Sequence, residues 1–267
     1  MQSIGGFRSM YKKGQRGTGT DDSHRRCGKL VPLALAIVLA VSVAAAPLLT
    51  PDHERFTEEA ALRMTRAAAG LLAPVYAPLA EQLVADYNLD DIESGIGIDL
   101  GSGPGTLIFE LCARTNLHWI NADINPHFFP IFFAEAEKKG FGHRVSAIFA
   151  DAQALPFRDD YADIIVSRGS YHFWDDKALG FSEIMRVLKP GGVAYIGRGM
   201  AHDMPSETAR AIREQQGERM VYDREAEAAS LEAMFAELGI DTYRIETPVP
   251  PDDSSLNYGI WIELRAP

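Results

Sequence analysis

Cysteine is nearly absent: Cys27 and Cys112 are the only two in 267 residues. Two isolated thiols make neither a disulfide framework nor a zinc site, and Cys112 reads as a small buried apolar residue. The seven histidines show no His-Glu-x-x-His spacing or other ligand pattern, so no metal is expected. Positive charge is scarce outside the N-terminus. Of 26 Lys and Arg, seven fall in residues 1–29 against Asp21 and Asp22, and the rest of the chain holds 19 basic and 35 acidic residues. A body that acidic repels a phosphate backbone, so the expected partner is a small molecule or a protein and not nucleic acid.

Only one long apolar run is present. Residues 1–29 lack any apolar period and read as a disordered basic tail. Residues 30–50 follow as an apolar segment, with Leu30 to Leu49 free of charge and interrupted by Pro32, Ser42 and Pro47. Twenty such residues are just long enough to span or associate with a membrane. They read equally as the core of a signal peptide, with Arg25, Arg26 and Lys29 before it and Ala44 to Ala46 after it. As an anchor, the segment puts its basic flank in the cytosol and residues 51–267 outside, so the compartment stays open.

Residues 51–267 carry the folding pattern of one domain. Helical spacing covers 54–72 and 77–87, with Pro74 and Pro78 expected to break it. Strand-like runs at 96–100, 118–123, 145–150, 162–167 and 193–197 then alternate with helical stretches near 105–115, 126–139 and 175–187. Two more helices near 206–219 and 225–238 precede strands near 241–247 and 257–265. The alternation predicts an α/β fold: a doubly wound, Rossmann-like, mostly parallel seven-stranded sheet, helices on both faces, the last strand antiparallel.

The chain is organised around Gly95 to Thr106, where a buried strand ending at Leu100 runs into Gly101, Gly103 and Gly105 before a helix. Glycine lets backbone approach a ligand closely, and strand, glycine loop and helix in that order make a nucleotide-type cradle. The dinucleotide fingerprint Gly-x-Gly-x-x-Gly needs its third glycine at 106, where this chain has Thr106.

The string that does stand there, Asp99-Leu-Gly-Ser-Gly-Pro-Gly105, resembles the first motif of the class I S-adenosylmethionine-dependent methyltransferases. Glu183-Ile-Met-Arg-Val-Leu-Lys-Pro-Gly-Gly192 is similar to the ubiquinone/menaquinone-biosynthesis type of that family. The likeness covers about residues 55–200. It implies S-adenosylmethionine as cofactor and a small-molecule O, N or C acceptor, or a silent protein that keeps the adenosyl pocket. In its terms Asp99, Gly101, Gly103 and Gly105 form the cofactor loop, Asp123 at the end of the second strand takes the ribose hydroxyls, and Ile124 lies beside it. Asp151 and the Ala152 amide meet the adenine edge, and Ser167 closes the site. The same likeness puts Tyr76, Arg168 and Tyr171 on the acceptor side, with His172 as the candidate base past the fourth strand. An Asn-Pro-Pro-Tyr after that strand and a Pro-Cys nucleophile are both missing, which disfavours amide or adenine N-methylation and cytosine C5 methylation.

Overall fold

A computed structural model describes residues 56–216 and 223–267. The basic tail and the apolar run at 30–49 lie outside the described residues, as does Cys27. Among the described residues no single helix is long and apolar enough to cross a membrane.

Seven strands form one sheet in the order β3-β2-β1-β4-β5-β7-β6. They are β1 Ile96–Leu100, β2 His118–Asp123, β3 Val145–Phe149, β4 Ala162–Arg168, β5 Leu188–Gly199, β6 Tyr243–Glu246 and β7 Gly259–Arg265. Strands β1 to β5 pair in parallel, whereas β7 runs antiparallel between β5 and β6. The helices are α1 Glu58–Ala69, α2 Ala73–Tyr87, α3 Thr106–Cys112, α4 Phe129–Lys139, α5 Lys177–Val187, α6 Ser206–Gln216 and α7 Arg224–Leu238.

Alternation along the central strands splits the core into two layers, because successive side chains leave a strand on opposite faces. Ile165, Ile196, Ile260 and Ile262 pack with Phe181 and Ile184 of α5 and Phe235 of α7. Their neighbours Ile164, Val166, Tyr195 and Trp261 pack with α2, α3 and α4 through Leu79, Leu83, Leu111 and Phe132. A third cluster joins the start of α2 to α6 through Val75, Met204 and Ile212, with Tyr258 donating to the Met204 carbonyl at 2.5 Å. It stands beyond the C-terminal end of β5 and roofs that part of the sheet edge.

Two boundaries differ from the sequence reading. Helix α2 begins at Ala73 and runs through both prolines. Pro74 falls in the first turn, where an N–H has no partner in any helix, and Pro78 removes only one hydrogen bond just beyond it. Strand β5 begins at Leu188, five residues before the expected start. The pairing jumps from Ala162↔Leu188 to Ile164↔Val193, so Lys189 to Gly192 bulge out of the ladder, with Gly191 at φ 78°. The Lys-Pro-Gly-Gly turn therefore sits inside the strand and does not precede it.

Candidate cofactor and acceptor site

The open sheet changes direction between β1 and β4, and ligands of such sheets bind beyond the strand C-termini at that point. The glycine loop lies there. Gly101, Gly103 and Gly105 all have positive φ, 65°, 58° and 79°. A Cβ on Gly105 would lie 2.2 Å from the Phe132 ring and one on Gly101 2.4 Å from Ser170 Cβ, so these two glycines serve internal packing. At Gly103 the nearest atoms are 3.7 Å away, and this residue lines an open cavity.

Strand β2 holds the loop by the Gly103 peptide. The Gly103 amide donates to Asp123 Oδ2 at 2.7 Å, and the Asn121 side-chain amide donates to the Gly103 carbonyl at 2.9 Å. Asp123 Oδ1 accepts from the Asn125 amide at 2.8 Å. Asn125 in turn caps the turn at Pro126–Phe128 by accepting from His127 N, which frees Asp123 from a capping role. With about four acceptor sites, the Asp123 carboxylate keeps room for a further donor.

Burial pushes the Asp123 carboxyl up to about 6 against its three backbone donors. It pushes Asp99 up to about 7, against the Ser102 hydroxyl that donates to Oδ2 at 2.7 Å. The amides of Gly101, Gly103 and Gly105 all donate within the protein, to Ala122 O, Asp123 and Ser102 O. That leaves those three amides nothing to offer a pyrophosphate, and two buried carboxylates would repel one. The donor set instead fits a phosphate-free adenosyl ligand with hydroxyl and ammonium donors.

Asp151 lies past the end of β3, where its carboxylate accepts from Gln153 N at 2.9 Å; Ala152 follows half-buried. Glu183 and Arg186 fix this loop to α5. Leu155 N donates to Glu183 Oε2, and Arg186 donates to the carbonyls of Leu155 and Phe157. The structure therefore sets Asp99, the loop, Asp123, Ile124, Asp151 and Ala152 along the adjacent ends of β1, β2 and β3.

These features have known counterparts. A sequence profile of the methyltransferase domain matches residues 98–196. A solved structure from Methanococcus maripaludis, assigned as an S-adenosyl-L-methionine-dependent methyltransferase, is 30% identical, covers 82% of this chain and 97% of its own, and superposes with a TM-score of 0.67. The chain belongs to the class I S-adenosylmethionine-dependent methyltransferases. Curated relatives of this methyltransferase chain are more distant. The chloroplastic 2-methyl-6-phytyl-1,4-hydroquinone methyltransferase of Arabidopsis thaliana is 35% identical over 100 residues, 37% of this chain and 28% of that protein. A ubiquinone/menaquinone biosynthesis C-methyltransferase of Vibrio vulnificus is 36% identical over 97 residues, 36% of this chain and 37% of that one. The chain thus spans well under half the length of either.

On the acceptor side, a cavity of about 220 Å³ opens between the loop and the ends of β4 and β5. Its lining includes Tyr76, Asp99, Gly101, Gly103, Arg168 and His172. The Arg168 guanidinium stands 5.7 Å over the Tyr76 ring and donates through Nε and Nη2 to Gly199 O. Two of the expected residues are not among the cavity lining. Tyr171 does not reach the cavity: it is 2% exposed and packs on Trp174 and Phe181, because its neighbours form the apolar base of α5. Ser167 is buried too, its hydroxyl donating to Leu100 O at 2.7 Å, so it braces β4 to β1.

His172 reaches the cavity, but its imidazole is pushed down to about 3, by burial first and then by Arg198, Lys177 and Arg168. It is neutral at physiological pH and a weak base as it stands. Sequence reasoning passed over Arg198 and Arg213, which also line the cavity. A lone charge between Gly197 and Gly199 at the end of a buried strand was the available signal for Arg198. Arg213, on a helix of mixed polar composition, carried none.

Proposed function

We propose that this chain moves a methyl group from S-adenosylmethionine to an O, N or C nucleophile of a small molecule bound in the cavity. One observation carries the reading: the Gly103 face of the cofactor loop opens into a cavity whose far wall is built by Tyr76, Arg168 and His172. Cofactor and acceptor sites are then contiguous.

When bound, the cofactor supplies an electrophilic methyl on a sulfonium. The chain's residues supply position. Asp123 would hold the sugar, Asp151 and Ala152 the adenine edge, and Asp99 would face the charged end. The cavity residues would hold the acceptor's lone pair toward that methyl, and water would take any proton the acceptor gives up. Alignment along one axis is the main catalytic requirement, and Met64 of α1, Leu72 between the helices and Tyr76 of α2 line one side of the cavity. The weak His172 base favours an acceptor that needs no strong base.

That same weak base supports a second reading, a protein that binds the cofactor without transferring it. Full-length chain incubated with methyl-labelled cofactor and a panel of hydroquinones, phenols, amines and acids separates the two. Label in any acceptor supports transfer, and tight cofactor binding with no labelled product throughout supports the second reading. The hydroquinones are included because one relative is named a hydroquinone methyltransferase.

A further inference from the structure

The turn that brings His172 and Phe173 to the cavity is tied at both ends to the cofactor side of the sheet. At its start, the Ser170 hydroxyl donates at 3.0 Å to the carbonyl of Leu100, the last residue of β1 before the glycine loop. At its end, the Asp176 amide donates to Gln153 Oε1 at 2.5 Å. Asp176 is also the N-cap of α5, accepting from Leu179 N at 2.9 Å. Between the two ends, Trp174 packs against Tyr171 and Phe181 and seats the turn on α5.

Gln153 joins this turn to the adenine-side loop. Its backbone amide donates to Asp151 Oδ1 at 2.9 Å; its side-chain Nε2 donates to the same oxygen at 3.1 Å and reaches Oδ2 only at 3.4 Å. One side-chain amide thus holds the Asp151 carboxylate with its nitrogen and the entry to α5 with its oxygen. A brace for α5 alone would need only the oxygen. Glutamate would supply it, and would add the negative charge that a helix N-terminus favours. The chain has glutamine, which at that length both donates and accepts. Because the amide is planar, turning its nitrogen off Asp151 also turns its oxygen off Asp176.

We infer that Gln153 is a positioning residue: it carries the state of the Asp151 carboxylate to the turn from Ser170 to Asp176, so that filling the adenine end of the site firms the acceptor wall. The inference rests on the methyltransferase reading, in which Asp151 accepts from the adenine amino group. That donor would take Oδ2, the oxygen that Gln153 holds least well. Coupling of this kind needs a contact that differs between two states, and the donor on Oδ2 is that contact. A carboxylate held on both oxygens fixes the Gln153 amide, and the amide fixes the Asp176 N–H. The acceptor wall then reaches its final shape only after the cofactor is in place.

Backbone hydrogen exchange of the full-length chain, with and without S-adenosylhomocysteine at calorimetrically established saturation, tests this. In wild type, residues 173–177 should gain on the order of tenfold in protection when the ligand binds. Gln153→Met should still bind the ligand, because the backbone amide continues to hold Asp151, yet residues 173–177 should gain little. Gln153→Glu keeps an acceptor for Asp176 N and loses the donor to Asp151. Its ligand-free protection at 173–177 should match wild type while the ligand-driven gain is lost, whereas a plain brace for α5 predicts that the gain is kept. If wild type binds S-adenosylhomocysteine without a gain at 173–177, if either variant gains as wild type does, or if both variants lose all binding, the inference is wrong and the methyltransferase reading stands. If S-adenosylhomocysteine fails to bind wild type, both fall.

Discussion

The amide of Gly103 and the carboxylate of Asp123 are 2.7 Å apart, and this bond ties the cofactor loop to the end of β2. One residue thereby sets the loop's shape and, in the function proposed above, would also hold the sugar. The two jobs are separable. Asp123→Asn puts an amide donor against either the Gly103 or the Asn125 N–H, whereas Asn121→Ala releases only the Gly103 carbonyl. Both should lose about 1–3 kcal/mol of stability in urea titrations, since each leaves a buried polar group unpaired. Only Asp123→Asn should lose tenfold or more in S-adenosylhomocysteine affinity by calorimetry. Equal affinity losses would mean that Asp123 acts through the loop alone.

The loop glycines should fail in different ways. Gly105→Ala drives a methyl into Phe132 at positive φ and should cost on the order of 2–4 kcal/mol. Gly103→Ala meets no atom within 3.4 Å and pays for its φ alone, about 1 kcal/mol. Its methyl still narrows the cavity, so cofactor affinity should fall although the fold survives. Paired urea and calorimetric titrations of the two variants check this.

Asp99 makes stability depend on pH. Its folded pKa of about 7 lies above the unfolded value of 3.8, so between those two pH values the folded chain keeps a proton that the unfolded chain has lost. Its contribution is complete below about pH 4 and disappears as pH rises through 7. Asp123, up to about 6, acts in the same direction. Asp99→Asn should therefore raise stability at pH 8 by roughly 4 kcal/mol, leave it little changed at pH 4, and weaken cofactor binding. Denaturant midpoints measured across pH 4–8 provide the check.

Arg186 offers a test of the adenine-side loop away from the ligand. It spans Glu183, Asp159 and the carbonyls of Leu155 and Phe157. Arg186→Ala should cost about 1–2 kcal/mol. It should also speed hydrogen exchange at residues 151–157 and weaken S-adenosylhomocysteine binding severalfold, with Asp123 unaltered. Unchanged exchange there would show that the loop needs no such clamp.

The succession of strands and helices and the position of the glycine loop were legible because both follow from local pattern. Buried strands such as Ile96–Leu100 read as short apolar runs, and glycines mark the turn that follows. The acceptor side was less legible, since tertiary packing decides it. Tyr171 and His172 are adjacent in sequence, yet one enters the core against Phe181 and the other faces the cavity. Ser167 looked available until its hydroxyl met Leu100 O across the sheet. Arg168, Arg198 and Arg213 are joined only by folding, which brings β4, β5 and α6 to one cavity. Pro78 reads as a helix breaker, but the packing of Leu79 and Leu83 outweighs its one missing bond.

Calorimetric titration of the full-length chain with S-adenosylhomocysteine tests the central claim most directly. The arrangement of Gly103, Asp123 and Asp99 predicts saturable binding of one ligand per chain, lost in Asp123→Asn, with no comparable heat from NADH. Absence of binding by S-adenosylhomocysteine and S-adenosylmethionine, or equal binding of NADH, would contradict it.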